Sequence, residues 1–350
     1  MEHPFSLRQF NQILLALLLF FGILYLGQVF IVPVAIGGLF AMLLVPVCRQ
    51  LEKQGVPRTL AAILCVLTVV VVLALLVVVL VDQLTALAND LPRLDLKLAQ
   101  LLNDMHRFIN ETFDISQEAQ NEYLQQSLRS SLQIVGVYLR NLFLFAGSIL
   151  VSFIIVMTYT LLFLLYRRKL KNFILRVTIR YNANAPAIVG KITNVASSYI
   201  AGVFLVVLIL SVVNTAGLAV IGIDHALLFG LVAGILNIIP YIGSLTGSLI
   251  PVLFALLTKD SLWTPLVVAL FFMLVQQIES YILTPNITGG VIKLNPMATL
   301  MVLLLGSAIW GIAGMILFVP YLGIAKVVFD NINPLKPLGY VLGKDEKGAG

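Results

Sequence analysis

Long stretches of this chain carry no charged residue, and their lengths and spacing predict membrane-spanning helices. Residues 9–48 contain no Asp, Glu, Lys or Arg. That is room for two helices, with a break near Gln28 to Pro33. Residues 59–81, TLAAILCVLTVVVVLALLVVVLV, predict a third span, and 141–166 a fourth. Further uncharged stretches cover 192–223, 225–258, 261–278 and 294–325. Crossing the hydrocarbon core takes roughly 20 apolar residues in a helix. The pattern therefore predicts an all-α fold, a polytopic helical membrane protein of about eight hydrophobic segments.

Two polar segments interrupt the runs. Residues 82–140 hold eight acidic and five basic residues. Leu84, Leu87, Leu91, Leu94, Leu98, Leu101, Met105 and Phe108 recur at steps of three and four, which is one face of a helix. Asp90 before Leu91–Pro92 suits a helix start, and a second helical stretch is expected from Ser116. This segment reads as a small helical insert outside the bilayer. Its leucine face packs on itself or on a neighbouring subunit. Residues 167–191 carry Arg167, Arg168, Lys169, Lys171, Arg176, Arg180 and Lys191 and no acid. Arg49, Lys53 and Arg58 make the earlier short loop basic as well. Positive charge in short loops marks the cytoplasmic side and favours anionic lipid. Only one orientation puts both basic loops inside, and it makes both termini cytoplasmic. The chain then divides into membrane helices over 1–81, an extracytoplasmic insert over 82–140, a membrane helix over 141–166, a basic cytoplasmic segment over 167–191, a C-terminal transport half over 192–330 and a cytoplasmic tail over 331–350.

The C-terminal half contains helices that break. As one straight helix, 225–258 would measure roughly 50 Å, well beyond the hydrocarbon core. Its middle reads Asn237-Ile-Ile-Pro240-Tyr-Ile-Gly243-Ser244. The interval 294–325 opens at Asn295-Pro296 and is punctuated by Gly306, Gly311, Gly314 and Pro320. Pro removes a backbone donor and Gly loosens a helix. Irregular backbone at membrane depth is tolerated only against protein or a wet cavity, and paired broken segments point to a transport site. We therefore expect two re-entrant hairpins, 226–257 and 298–329, flanking a full span over 261–283. Two long kinked helices are the competing reading.

Polar groups at lipid depth are few. Gln276, Gln277 and Glu279 cluster near the end of one span, and a carboxylate there is a candidate site for a proton, cation or polar solute. Asn237 suits a hydrogen bond to the solute or to the broken backbone. Asn214 and Thr215 suit hydrogen bonds across helices, and Asp224-His225 suits an interfacial turn. Trp310 and Tyr241 read as packing residues.

Composition agrees with the pattern. The chain is 60% hydrophobic and 11% charged, against about 25% charged for a soluble domain. The net charge of +6 resides in loops and carries no nucleic-acid-binding motif. Cys48 and Cys65 stand alone, and His3, His106 and His225 are scattered, so no metal or cofactor site is expected. No H-E-x-x-H, G-x-S-x-G or Walker A pattern occurs, so the reading is not an enzyme.

The stretches GLVAGILNIIPYIGSLTGSLIPVLFALL (230–257) and VQQIESYILTPNITGGVIKLNPMATLMVLLLGSAIWGIAGMILFVPYLGIAK (275–326) resemble the autoinducer-2 exporter family, as does the layout of hydrophobic segments. The resemblance implies export of a small signalling molecule or other metabolite across the inner membrane. It implies alternatively sodium–proton exchange, and assembly as a homo-oligomer, a pentamer among relatives. Many relatives carry Glu before the proline matched by Pro285, where this chain has Thr284. Any coupling acid would then be Glu279. A non-transporting scaffold acting through 82–140 is a further alternative.

Overall fold

The computed structural model describes residues 7–113, 151–178, 184–239, 242–288 and 294–344. The described residues form helices joined by short turns, with one isolated bridge pairing Leu294 and Gly343. In chain order the helices are α1 (Leu7–Leu26), α2 (Gln28–Lys53), α3 (Arg58–Phe113), α4 (Val151–Thr178), α5 (Ala185–Ile221), α6 (Ala226–Leu236), α7 (Ile242–Thr258), α8 (Trp263–Ile278), a π-turn over Glu279–Leu283, α9 (Thr284–Ile287), α10 (Pro296–Asn331) and α11 (Lys336–Leu342). Among the described residues six helical stretches are long and apolar enough to cross a membrane, and three are shorter. Large apolar side chains are exposed along α1, α3 and α8. The apolar window of Arg58–Asp90 is only 11% buried. A soluble fold would not leave such a helix in water; hydrocarbon must solvate it.

The chain divides into two compact units. One spans Met1–Val71, Ile155–Val206 and Ser280–Gly350; the other spans Val72–Ile154 and Val207–Glu279.

In the first unit, α1 ends where Gly27 separates it from α2, one residue before the expected break. Glu52 near the end of α2 pairs with Arg167 of α4. Arg58, opening α3, donates to the Leu165 carbonyl at 2.6 Å. The two basic stretches expected to share one side are thus joined at one end of this unit. The basic stretch is not all loop, because α4 stays helical through Arg167, Arg168, Lys169, Lys171 and Arg176 to Thr178. Asn295 caps α10 by accepting from the Ala298 amide at 2.7 Å. Its side chain also donates to the Val341 carbonyl at 2.7 Å, which ties α11 down.

The long α10 folds back on itself. Gly311 adopts φ 59°, ψ −137°, a backbone state open almost only to glycine. Around it Gly306 lies against the Gly314 backbone, leaving no space for a Cβ at either. The rings of Trp310 and Phe318 stack edge to face at 5.1 Å, and Val302, Leu303 and Val319 share one buried cluster. In a straight helix Leu303 and Val319 would be roughly 24 Å apart. The Trp310 indole donates to the Leu24 carbonyl of α1, and the Tyr321 hydroxyl to the Ala35 carbonyl of α2, each at 2.8 Å. Two half-buried hydrogen bonds therefore hold the hairpin to its neighbours.

In the second unit, α6 and α7 are antiparallel arms. Phe229 and Phe254 are 4.8 Å apart, and Gly247 lies against Ala233 and Gly243 against the Leu236 carbonyl. Gly230 and Gly234, four apart, set α6 on the α5 backbone at Thr215 and Ser211. Small residues at this spacing let helices approach closely where lipid supplies no hydrophobic drive. Leu218, Phe229, Phe254, Val268 and Phe272 form the core. Asp224-His225 is the turn before α6, as expected. His225 Nε2 lies 2.9 Å from Asp90 Oδ2, and Lys259 donates to Asp224 at 3.0 Å.

One sequence expectation needs correction. No helix starts at Asp90: α3 is one helix of 56 residues that passes through Pro92. The three-and-four apolar spacing is unbroken on both sides of the proline, so a single missing amide bond does not end the helix. The stretch expected to be helical from Ser116 lies outside the described residues.

Candidate functional site

A cavity of about 410 Å³ lies within the second unit, between the C-terminal part of α5, the α6–α7 hairpin and α8. The α6–α7 break supplies its first polar group. Asn237 closes α6 and its amide turns back to the Ala233 carbonyl at 3.2 Å. Ile238 and Ile239 bond back to Ile235 and Leu236, and Gly243 to Ile239. The break is therefore a compact turn whose described amides are largely satisfied. The C-terminal end of α6 and the N-terminal end of α7 meet there, each carrying about half an elementary charge of opposite sign.

The other walls add Ser244 and Ser248 from α7 and Gln276, Gln277 and Glu279 from α8 and the π-turn. Gln276 Nε2 donates to Glu279 Oε2 at 2.7 Å. This pair sits where α-helical geometry changes to the π-turn Glu279–Leu283, a distortion frequent at functional positions. The helix does not end there, since α9 continues to Ile287. Glu279 is thus part of a continuous helical rod rather than the helix end expected from sequence.

Asn214 faces the same cavity from α5 and is 4% exposed. Its Oδ1 has no hydrogen-bond partner, and neither has Thr215 Oγ1. The expected cross-helix bonds at these acceptors are therefore not formed. Thr215 is covered by the close approach of Gly230. Asn214 instead presents a buried, unsatisfied acceptor to the cavity. The sequence signal was the amide itself in the middle of an apolar helix; its partner could not be read from one helix alone.

The remaining expected site residues fall elsewhere. Gly243 is buried in the hairpin contact and does not line the cavity. Pro240 lies outside the described residues. Pro285 is exposed on α9, and Gly306, Gly311 and Gly314 build the α10 hairpin; all four belong to the first unit. The cavity is built from the second unit alone. No Lys or Arg is among its lining residues, and its polar chemistry is four amides, two hydroxyls and one carboxylate. Such a set can hold a neutral hydroxylated solute or a cation, and offers nothing to neutralise an anion.

Broken apolar helices, a lipid-facing exterior and an amide-lined cavity define a multi-pass membrane transporter. The profile described as AI-2E family transporter matches residues 14–333, and the chain belongs to that family. It is similar to the putative transport protein YueF of Bacillus subtilis (strain 168), 27% identical over 341 residues, 92% of each chain. The putative transport protein YrrI of the same organism is 27% identical over 312 residues, 85% of each. The AI-2 transport protein TqsA of Escherichia coli (strain K12) is 25% identical over 310 residues, 88% of each.

Proposed function

We propose that the chain exports a small, neutral, hydroxylated solute, of which autoinducer-2 is the example offered by the name of the Escherichia coli relative. The observation that carries this reading is the buried Asn214 acceptor facing a cavity lined by Asn237, Gln276 and Gln277. Amides offer both donors and acceptors, which match hydroxyl groups, and a site built for hydroxyls rejects analogues lacking them. Glu279 is the coupling acid, with Gln276 holding its carboxylate in place. The protein sits in the inner membrane with both termini cytoplasmic, as a homo-oligomer. The two hairpins are re-entrant and change position during transport.

The test is flux in proteoliposomes of purified protein, with autoinducer-2 and a deoxy analogue, with and without a proton gradient. Glu279→Gln is expected to abolish the effect of the gradient while leaving assembly unchanged. Equal flux of both solutes, or gradient dependence surviving in the variant, overturns the reading. Sodium–proton exchange is tested in the same vesicles, by a sodium-driven pH change without solute.

A further inference from the structure

A second, larger cavity of about 1080 Å³ lies in the first unit and shares no lining residue with the solute site. It runs along α2 from Ile31 to Glu52, roughly 31 Å of helix axis. Its two ends differ in chemistry. One end is apolar and aromatic, with Phe20 and Phe21 of α1 and Trp310 and Phe318 of the α10 hairpin. The other gathers Arg49, Arg167, Arg168 and Lys171 around Glu52. Arg167 is already neutralised by Glu52. Among the described residues no carboxylate pairs with Arg49, Arg168 or Lys171. Three cations therefore stand at the mouth of a long apolar slot.

We propose that this slot holds an anionic glycerophospholipid, one acyl chain along α2 toward Trp310 and the phosphate between Arg49, Arg168 and Lys171. The charges match: a phosphate accepts from arginine and lysine donors at once, and these cations find no carboxylate partner among the described residues. The place matches too. Short basic stretches mark the cytoplasmic face, which is the anionic leaflet, and the slot opens its cationic end there. A neighbouring copy of the chain is a poorer occupant, because covering three uncompensated cations with protein demands carboxylates or leaves charge buried.

The test uses the full-length protein reconstituted in vesicles of equal phosphatidylglycerol and phosphatidylcholine, then extracted in mild detergent, with retained lipid identified by mass spectrometry. Wild type is expected to retain phosphatidylglycerol at least fivefold over phosphatidylcholine. R49Q/R168Q/K171Q is expected to lose that preference, and R49K/R168K to keep it. In the tail arm, Trp263→Phe leaves Trp310 as the only tryptophan. Phosphatidylglycerol brominated at the chain end should quench it more than brominated phosphatidylcholine. Gly38 lines the slot, and a Cβ there meets only ordinary contacts, so Gly38→Leu should fill it and remove the extra quenching. Retained lipid of bulk composition overturns the proposal, as does equal quenching by the two lipids. So does a preference that survives both the triple variant and Gly38→Leu. Should the triple variant not fold, the wild-type comparison of the two lipids still decides.

Discussion

At the scale of single residues, Asn214 sets stability against function. A buried acceptor without a partner costs about 1–3 kcal/mol, and Asn214 Oδ1 is such an acceptor. Its persistence in an otherwise apolar helix face is explained if a solute hydroxyl satisfies it. Asn214→Leu is therefore expected to raise thermal stability in detergent by about 1 kcal/mol, read from the unfolding midpoint. Solute flux is expected to fall at least tenfold. A variant that loses stability instead would show the amide to be a structural anchor. Glu279 and Asn237, which line the cavity, stood out in the sequence because polar groups at lipid depth are rare. Gly243 carries the same signal, a glycine in a break, and makes a buried backbone contact without lining this cavity. Local sequence does not distinguish a glycine that lines a space from one that removes it.

At the scale of elements, the breaks were visible and their consequences less so. Asn237 to Gly243 and Gly306 to Gly314 announced where two long apolar runs fail to continue. The structure makes each a pair of packed arms, through Phe229 on Phe254 and Gly306 on Gly314. Cross-linking separates this from a kinked rod. Cysteines replacing Leu303 and Val319 should form a disulfide readily, since bridging requires Cα atoms within about 7 Å. A rod would hold them roughly 24 Å apart and show no cross-link. Gly311→Ala should weaken the hairpin by about 1–3 kcal/mol, because its positive φ is costly for any Cβ, and lower the cross-linking yield. What the sequence could not give was where helices run on. Pro92 and the Arg167–Lys171 cluster both looked like ends. Yet α3 and α4 continue through them, since neither one proline nor a run of exposed charge outweighs the hydrogen-bonded turns on either side.

At the scale of the whole molecule, the membrane is the organising solvent. The two units have different chemistry: one gathers cations at the end of an apolar slot, the other lines a smaller cavity with amides and one acid. Composition alone separated this chain from soluble folds. It could not assign those chemistries to separate places, because Arg49 and Arg168, like Asn214 and Gln276, come to line one cavity only after folding.

The 56 residues of α3 leave one further mark. Its uncharged part ends at Val81, and the helix continues from Asp82 to Phe113 for roughly 48 Å more. Past Asp90, which reaches His225, the sequence of this helix holds Arg93, Lys97 and Arg107, the residues trypsin cuts after. Sealed right-side-out vesicles treated briefly with trypsin should lose it, while inverted vesicles keep it until they are opened. With the insert outside, as the basic loops lead us to expect, a single gel lane would then report which way the protein was inserted.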